Sequence, residues 1–330
     1  MVAQGVLDFQ YEANSSPHGL TSLAGLAVYF DLLKASGLGE AIRRHVRAAG
    51  GQGWLDIQMT LAVVFLNLSG GDCVEDIERL ERDGGFSAVL RAIEKDLLSR
   101  AEQRSLKRRW RGDRERATPS PSALSGWLER FHDPAAPKAA AGTAFIPAVT
   151  EELRGLWRVN QALLEFLQKH QPTTSATLDM DATPIATHKR EALYGYKKFK
   201  AYQPLNCWWA EQGAMVYSEF RDGNVPAGHE QLRVLKASLL HLPGGVKKVA
   251  LRSDTAGYQE ELLLYCGEGK DPRFGAIEFA VGRRDRGVPC RRAGDSRKRM
   301  EAADPDVRRQ AARDGPRMGG NLLCAELGWV

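Results

Sequence analysis

Over the first 170 residues the apolar positions recur at helical spacing. Leu20 to Leu33 is apolar-rich and runs into the break Ser36-Gly37-Leu38-Gly39, which predicts a helix. Trp54 to Leu68 predicts a buried helix that stops at Ser69-Gly70-Gly71. Cys73 to Leu80 and Phe86 to Leu97 predict short amphipathic helices around Gly84-Gly85. Thr118-Pro119-Ser120-Pro121-Ser122 reads as a turn and a helix start, with Ser122 as N-cap of a helix from Ala123 to Phe131. Pro134 to Gly142 is a Pro/Ala-rich linker, and Phe145 to His170 predicts a long helix.

Near Pro172 the period changes to two. In Thr177-Leu178-Asp179-Met180-Asp181, Leu178 and Met180 face one way, while Thr177, Asp179 and Asp181 face the other. Leu205 to Ala210 and Ala214 to Phe220 flank Glu211-Gln212-Gly213 and read as a hairpin. Gly228 to Leu242 predicts a helix with Leu232, Leu235 and Leu239 on one face. Val246 to Arg252 is a strand, Ala256 to Cys266 a helix and Ala276 to Val281 a strand. Three strands followed by helix, strand, helix, strand make a mixed domain. The expected architecture is α+β or α/β, with a helical N-terminal domain over 1–170 and a mixed-sheet domain over 171–282.

After Gly282 both periods vanish. Between Arg283 and Asn321 the only Leu, Ile or Val residues are Val288 and Val307, and Trp329 is the one aromatic of the tail. The formal net charge of +5 also sits entirely in 283–330, so residues 1–282 balance to zero. The basic total is therefore no sign that the body binds nucleic acid; local clusters must carry that argument. The tail reads as a basic nucleic-acid arm, a disordered end, or a shifted reading frame in a GC-rich gene. The expectation adopted is a non-native frame over 283–330.

The hydrophobic share of 43% and charged share of 26% describe a soluble globular chain. No apolar run reaches the ~18 residues of a membrane span, and Met1 to Tyr11 lacks a signal-peptide pattern. The five cysteines contain no CxxC, which argues against a disulfide framework or structural zinc and fits a reducing cytoplasm. The expectation is a cytoplasmic protein without a membrane partner. No P-loop, dinucleotide-binding fingerprint or nucleophile elbow is present.

Two features carry candidate chemistry. Asp179 and Asp181 share one strand face, and Asp254 ends another strand. Carboxylates converging at strand ends can hold Mg²⁺; a strand-end Asp can equally cap a turn, as Asp254 before Thr255-Ala256-Gly257 could. The second feature is His188 to Tyr202, where Lys189, Arg190, Lys197, Lys198 and Lys200 interleave with Tyr194, Tyr196, Phe199 and Tyr202. Cations bind phosphates and aromatic faces stack on unpaired bases; a solvated lysine face over tucked aromatics is the alternative. Residues 100–116 form a further basic stretch with eight Arg/Lys against three acids.

These residues carry a resemblance. Leu178-Asp179-Met180-Asp181-Ala182-Thr183-Pro184-Ile185, Lys189 to Lys197 and Tyr202-Gln203-Pro204-Leu205 resemble the first block of the DDE transposases of bacterial insertion sequences. Leu251 to Tyr258 is similar to their second block. The resemblance implies a ribonuclease-H-like catalytic domain, incomplete here. It implies metal-dependent cleavage and transfer of DNA strands with Mg²⁺ or Mn²⁺. Asp181 and Asp254 match the first two acids of the catalytic triad, with Asp179 as alternative to Asp181 and Thr183 and Arg252 as support. The third acid is expected on a helix beyond the fifth strand, where the pattern is lost; Glu278 comes too early, and Glu301 and Glu326 are left unassigned. Implied partners are the element's terminal inverted repeats and target DNA, with a possible homodimer in a synaptic complex. Expected DNA contacts are Lys189, Arg190, Tyr196, Lys197, Lys198 and Lys200, together with Arg104, Lys107, Arg108 and Arg109 in the end-binding region. A chain without its third acid would instead be a DNA-binding repressor or inhibitor of transposition, or an inactive relic.

Overall fold

The structure, a computed structural model, describes residues 19–110, 114–133, 144, 146–190 and 192–282. The linker over 134–142 and the tail over 283–330 lie outside these residues, the linker's ends included. The chain divides into two compact units, one from residues up to 138 with 147–166, the other from 139–146 with 167 onward.

The first unit is helical: α1 (Ala27–Ala35), α2 (Leu38–His45), α3 (Asp56–Leu68), α4 (Ile77–Arg82), α5 (Gly84–Leu97), α6 (Arg100–Arg109), α7 (Pro121–Leu128) and most of α8 (Glu151–His170). One apolar core runs through it, with Phe30, Ile42, Phe65, Ile77, Leu80, Phe86 and Leu124 fully buried. Phe65 sits 4.3 Å from Phe30 and 5.9 Å from Phe86, centroid to centroid. Each such ring removes roughly 150–250 Å² from water. Local capping chemistry starts the helices. The Asp83 carboxylate accepts from Phe86 N–H at 2.8 Å, and Ser99 with Glu102 forms a reciprocal capping box on α6.

The helix expected from Ala123 begins earlier, because Ser120, not Ser122, accepts from Ala123 N–H and Pro121 takes the first helical position. Two carboxylates that propensity alone would leave in solvent hold loops instead. Asp56 accepts from Ala48 N–H, Ala49 N–H and Trp127 Nε1–H, and Glu81 accepts from the backbone of Ala117 and Thr118.

The second unit contains β1 (Ser175–Ala182), β2 (Ile185–Ala186), β3 (Ala201–Tyr202), β4 (Leu205–Trp209), β5 (Ala214–Glu219), α9 (Gln231–His241), β6 (Lys248–Ser253), α10 (Glu260–Gly267) and β7 (Glu278–Val281). Five strands form one mixed sheet in the order β5-β4-β1-β6-β7. β1, β4 and β5 are antiparallel; β6 and β7 run parallel to β1. A helical region followed by this sheet and its helices is a ribonuclease-H-like arrangement. Alternation decides the faces: Ala176, Leu178 and Met180 are buried, whereas Thr177, Asp179 and Asp181 lie half-buried on the other side. α9 packs on β4 and β5 and buries Leu232, Leu235 and Leu239.

Two helices are shorter than their apolar patterns. α9 begins only at Gln231, since Glu230 takes a left-handed conformation (φ 48°) as its N-cap. α10 begins at Glu260, because Asp254 caps a separate short turn, Thr255–Gly257. A fully buried arginine, Arg221, ties β5 to the segment before α9: it pairs with buried Glu219 at 2.9 Å and donates to the His229 carbonyl at 2.6 Å. Among the described residues, no helix is long and apolar enough to cross a membrane.

Candidate metal centre and nucleic-acid interface

β1 and β6 are parallel neighbours, with Asp179 opposite Arg252 and Met180 opposite Ser253. The ladder ends there, and the next residues along the two segments are Asp181 and Asp254. Asp181 lies at the C-terminal end of β1 and Asp254 directly follows β6, so both stand at the same end of the sheet. Asp181 is half-buried and its Oδ1 accepts from Ala182 N–H at 2.8 Å. Burial pushes its carboxyl above the ordinary aspartate range; the Ala182 N–H opposes this, and the negative charge of Asp254 adds to it. Asp254 is exposed, and its Oδ1 accepts from Ala256 N–H at 2.8 Å. The capping role weighed for Asp254 is thus realised, through one carboxylate oxygen.

Asp179 is differently placed. Its two oxygens each accept from the Arg252 guanidinium, through Nε and Nη2. That pairing raises the Arg252 pKa above its ordinary value, chiefly through the hydrogen bond to Asp179. Two neighbouring carboxylates on one strand therefore meet opposite environments: Asp179 is neutralised by a cation, while Asp181 faces another anion. Asn206 of β4 stands opposite Asp181, donates weakly to Thr183 Oγ1 (3.4 Å) and accepts from Ser218 Oγ–H at 2.7 Å. The chain leaves β7 at the same end of the sheet. Gly282 N–H donates to the Ser253 carbonyl at 3.2 Å, and a Cβ on Gly282 would stand 2.9 Å from Thr255 N. Only a glycine passes there without displacing the Asp254 turn.

A family model described as Transposase DDE domain group 1 matches residues 8–277. The chain belongs to that family. No curated protein matched the sequence. DDE transposases generally use a divalent metal and act on DNA. The residues here fit such a metal in part. Asp181 and Asp254 supply hard oxygen donors whose mutual repulsion a cation would relieve. Among the described residues, no cluster of three or more His, Cys, Asp or Glu gathers at one point.

The basic-aromatic cluster of this transposase-family chain sits on an arm that the sequence pattern did not reveal. β2 and β3 pair Ile185 with Tyr202 and Ala186 with Ala201 as a separate two-stranded sheet beyond the end of β1. The arm's end carries Lys189, Arg190, Tyr194, Tyr196, Lys197 and Lys198, all exposed, with Tyr196 at 70% and Tyr194 at 65%. Lys197 Nζ lies 5.6 Å from the Tyr196 ring centre. Lys198 has a left-handed backbone, φ 62°. Lys200 does something else: its ammonium donates to the Arg190 carbonyl at 2.8 Å and closes the arm.

On α6 the four candidates also separate. Arg109 donates to the carbonyls of Gly53 (2.8 Å), Trp54 (3.0 Å) and Gly50, so it anchors the helix. Glu102, on the same face, is bonded to Arg43 at 2.8 Å. Arg104, Lys107 and Arg108 are exposed on the opposite side of the helix. The role of Lys200 and Arg109 had no sequence signal, since a carbonyl acceptor can come from any residue the fold brings near.

Proposed function

We propose that this chain is a DDE transposase of an insertion sequence in which Asp181 and Asp254 are the first two metal-ligating carboxylates. What supports this reading is that Asp181 and Asp254 each directly follow the last paired residues of adjacent parallel strands and act on each other electrostatically, with Asp179 withdrawn from competition by Arg252. Mg²⁺ or Mn²⁺ held there would supply Lewis-acid stabilisation of a phosphodiester and a more acidic bound water. The protein's own residues do the positioning. Asp254 is fixed by its bond to Ala256 N–H and Asp181 by its bond to Ala182 N–H, so each keeps a second oxygen for a ligand. Thr183 and Arg252 support that geometry. Lys189, Arg190, Tyr196, Lys197 and Lys198 grip the DNA beside the site, and Arg104, Lys107 and Arg108 serve the end-binding region. The partners are the terminal inverted repeats and target DNA, in a cytoplasmic synaptic homodimer.

The domain assignment follows: 1–170 binds DNA, 171–282 is the catalytic domain, and 283–330 contributes no acid we assign. The absence of a third carboxylate beside the pair among the described residues favours a second outcome for this chain, a repressor that binds ends without cutting them. One experiment separates the two. Purified chain is incubated with duplexes carrying the element's ends, with and without Mn²⁺, and both binding and strand cleavage are read. Binding without cleavage is expected. Cleavage abolished by Asp181→Asn or Asp254→Asn would make the chain a complete enzyme, its third acid lying beyond Gly282. Failure to bind the ends would refute both readings.

A further inference from the structure

A second cationic surface lies in the helical unit, assembled from parts distant in sequence. α2 ends where α8 crosses it. The crossing is close enough that a Cβ on Gly155 would stand 2.2 Å from the His45 carbonyl oxygen. Around that glycine, Arg154 and Arg158 stand one turn apart on α8, and Arg44 and Arg47 flank His45; all four arginines are exposed. Glu151 is the carboxylate paired with the α8 arginines, touching Arg154 and, at 3.7 Å, Arg158. Arg44 has no ion-pair partner among the described residues. Arg47 donates to the Val46 carbonyl at 2.8 Å and to that of Arg43, and it too has no ion pair among the described residues.

The residues between them register this field. His45 is held below its ordinary pKa by burial first, then by the charges of Arg158, Arg44 and Arg47. Arg44 is accounted for by the α2 C-terminus, where cations are favoured. Arg158 is not, because it arrives in mid-helix from α8. A cleft adjoins Arg47, lined by Arg130 and His132 together with Glu129 and Glu152.

We propose that the α2–α8 crossing is a docking surface for the phosphate backbone of duplex DNA, with Arg44, Arg47 and Arg158 as its phosphate contacts. It rests on the reading that the chain binds DNA, and it adds a surface that sequence clusters did not show. Duplex DNA carries one negative charge per ~1.7 Å of axis, so it offers acceptors to every guanidinium of such a patch. Contacts of this kind position a duplex without reading its sequence.

The test is fluorescence anisotropy with the full chain and a labelled random-sequence duplex, titrated across salt concentrations. Arg44→Ala/Arg158→Ala is compared with Arg79→Ala/Arg82→Ala, which removes two exposed arginines of α4. The first pair should lower the slope of log K against log salt by roughly 1.8, at about 0.9 per lost contact. The second should leave it unchanged, and Arg44→Lys/Arg158→Lys should restore most of it. Equal slopes for the two alanine pairs would overturn the surface while leaving DNA binding intact. A wild-type chain that binds no duplex would instead overturn the underlying reading. Arginine footprinting on wild-type protein makes the result independent of variant folding. DNA should protect Arg44, Arg47 and Arg158 from phenylglyoxal, and undiminished modification of all three would refute the proposal.

Discussion

Replacing Asp181 by Asn should stabilise the protein, because the wild-type site sets two carboxylates side by side. For carboxylates about 5 Å apart, two unit charges would repel by about 3.3 kcal/mol at an effective dielectric of 20 and by about 0.8 kcal/mol in water. Asp254 is exposed, so the value lies near the lower limit, about 1 kcal/mol. Asn keeps the Oδ1 acceptor that Ala182 N–H uses, so no hydrogen bond is forfeited. A gain of that size raises Tm by roughly 2–4 °C in a unit of this size. The pH dependence has a definite sign. The Asp181 pKa is raised by burial and by Asp254, so the folded state holds its proton more tightly than the unfolded chain. The cost of ionising it is absent below the ordinary aspartate range and appears as pH rises through the elevated folded value. Differential scanning calorimetry should therefore show variant and wild type converging in acid and separating toward neutral pH. Adding Mn²⁺ should raise the wild-type Tm and leave the variant nearly unmoved. A variant that melts lower than wild type at neutral pH, or an offset independent of pH, would refute the argument.

Other expectations follow from single contacts. Lys197→Ala/Lys198→Ala should weaken DNA binding and flatten its salt slope by roughly 0.9 per lost phosphate contact, and an unchanged slope returns the arm to a solvated surface. Arg109→Ala removes the donor shared by three carbonyls and should cost about 1–3 kcal/mol in thermal unfolding, whereas Arg104→Ala, exposed on the opposite face, should stay within about 0.5 kcal/mol. Arg252→Met leaves the half-buried Asp179 without its cation and should destabilise the sheet unit by about 1–3 kcal/mol; hydrogen exchange in β1 and β6 should quicken accordingly.

Much of the architecture was legible because each segment declared a period. Alternation over 177–181 is enough to set Leu178 and Met180 inside and both aspartates outside, since strand side chains switch faces at every residue. Leu232, Leu235 and Leu239 announce the buried stripe of α9 for the same kind of reason. The blocks around Asp181 and Asp254 were specific enough to mark the transposase family. Other features depend on partners far along the chain. Two residues of β2 and two of β3 are too few to show a period, and they become strands only by pairing with each other across the arm. Asp179 and Asp181 look equivalent in sequence; Arg252, 73 residues beyond Asp179, distinguishes them. Arg109 reads as one more basic residue of α6 until the 50–54 loop places three carbonyls around it. The cationic crossing at Gly155 has no local signature either, because its charges come from residues 44–47 and 154–158. Periodicity is a property of neighbours in the chain, whereas a charge's environment is set by whatever the fold packs against it, and that only the tertiary structure decides.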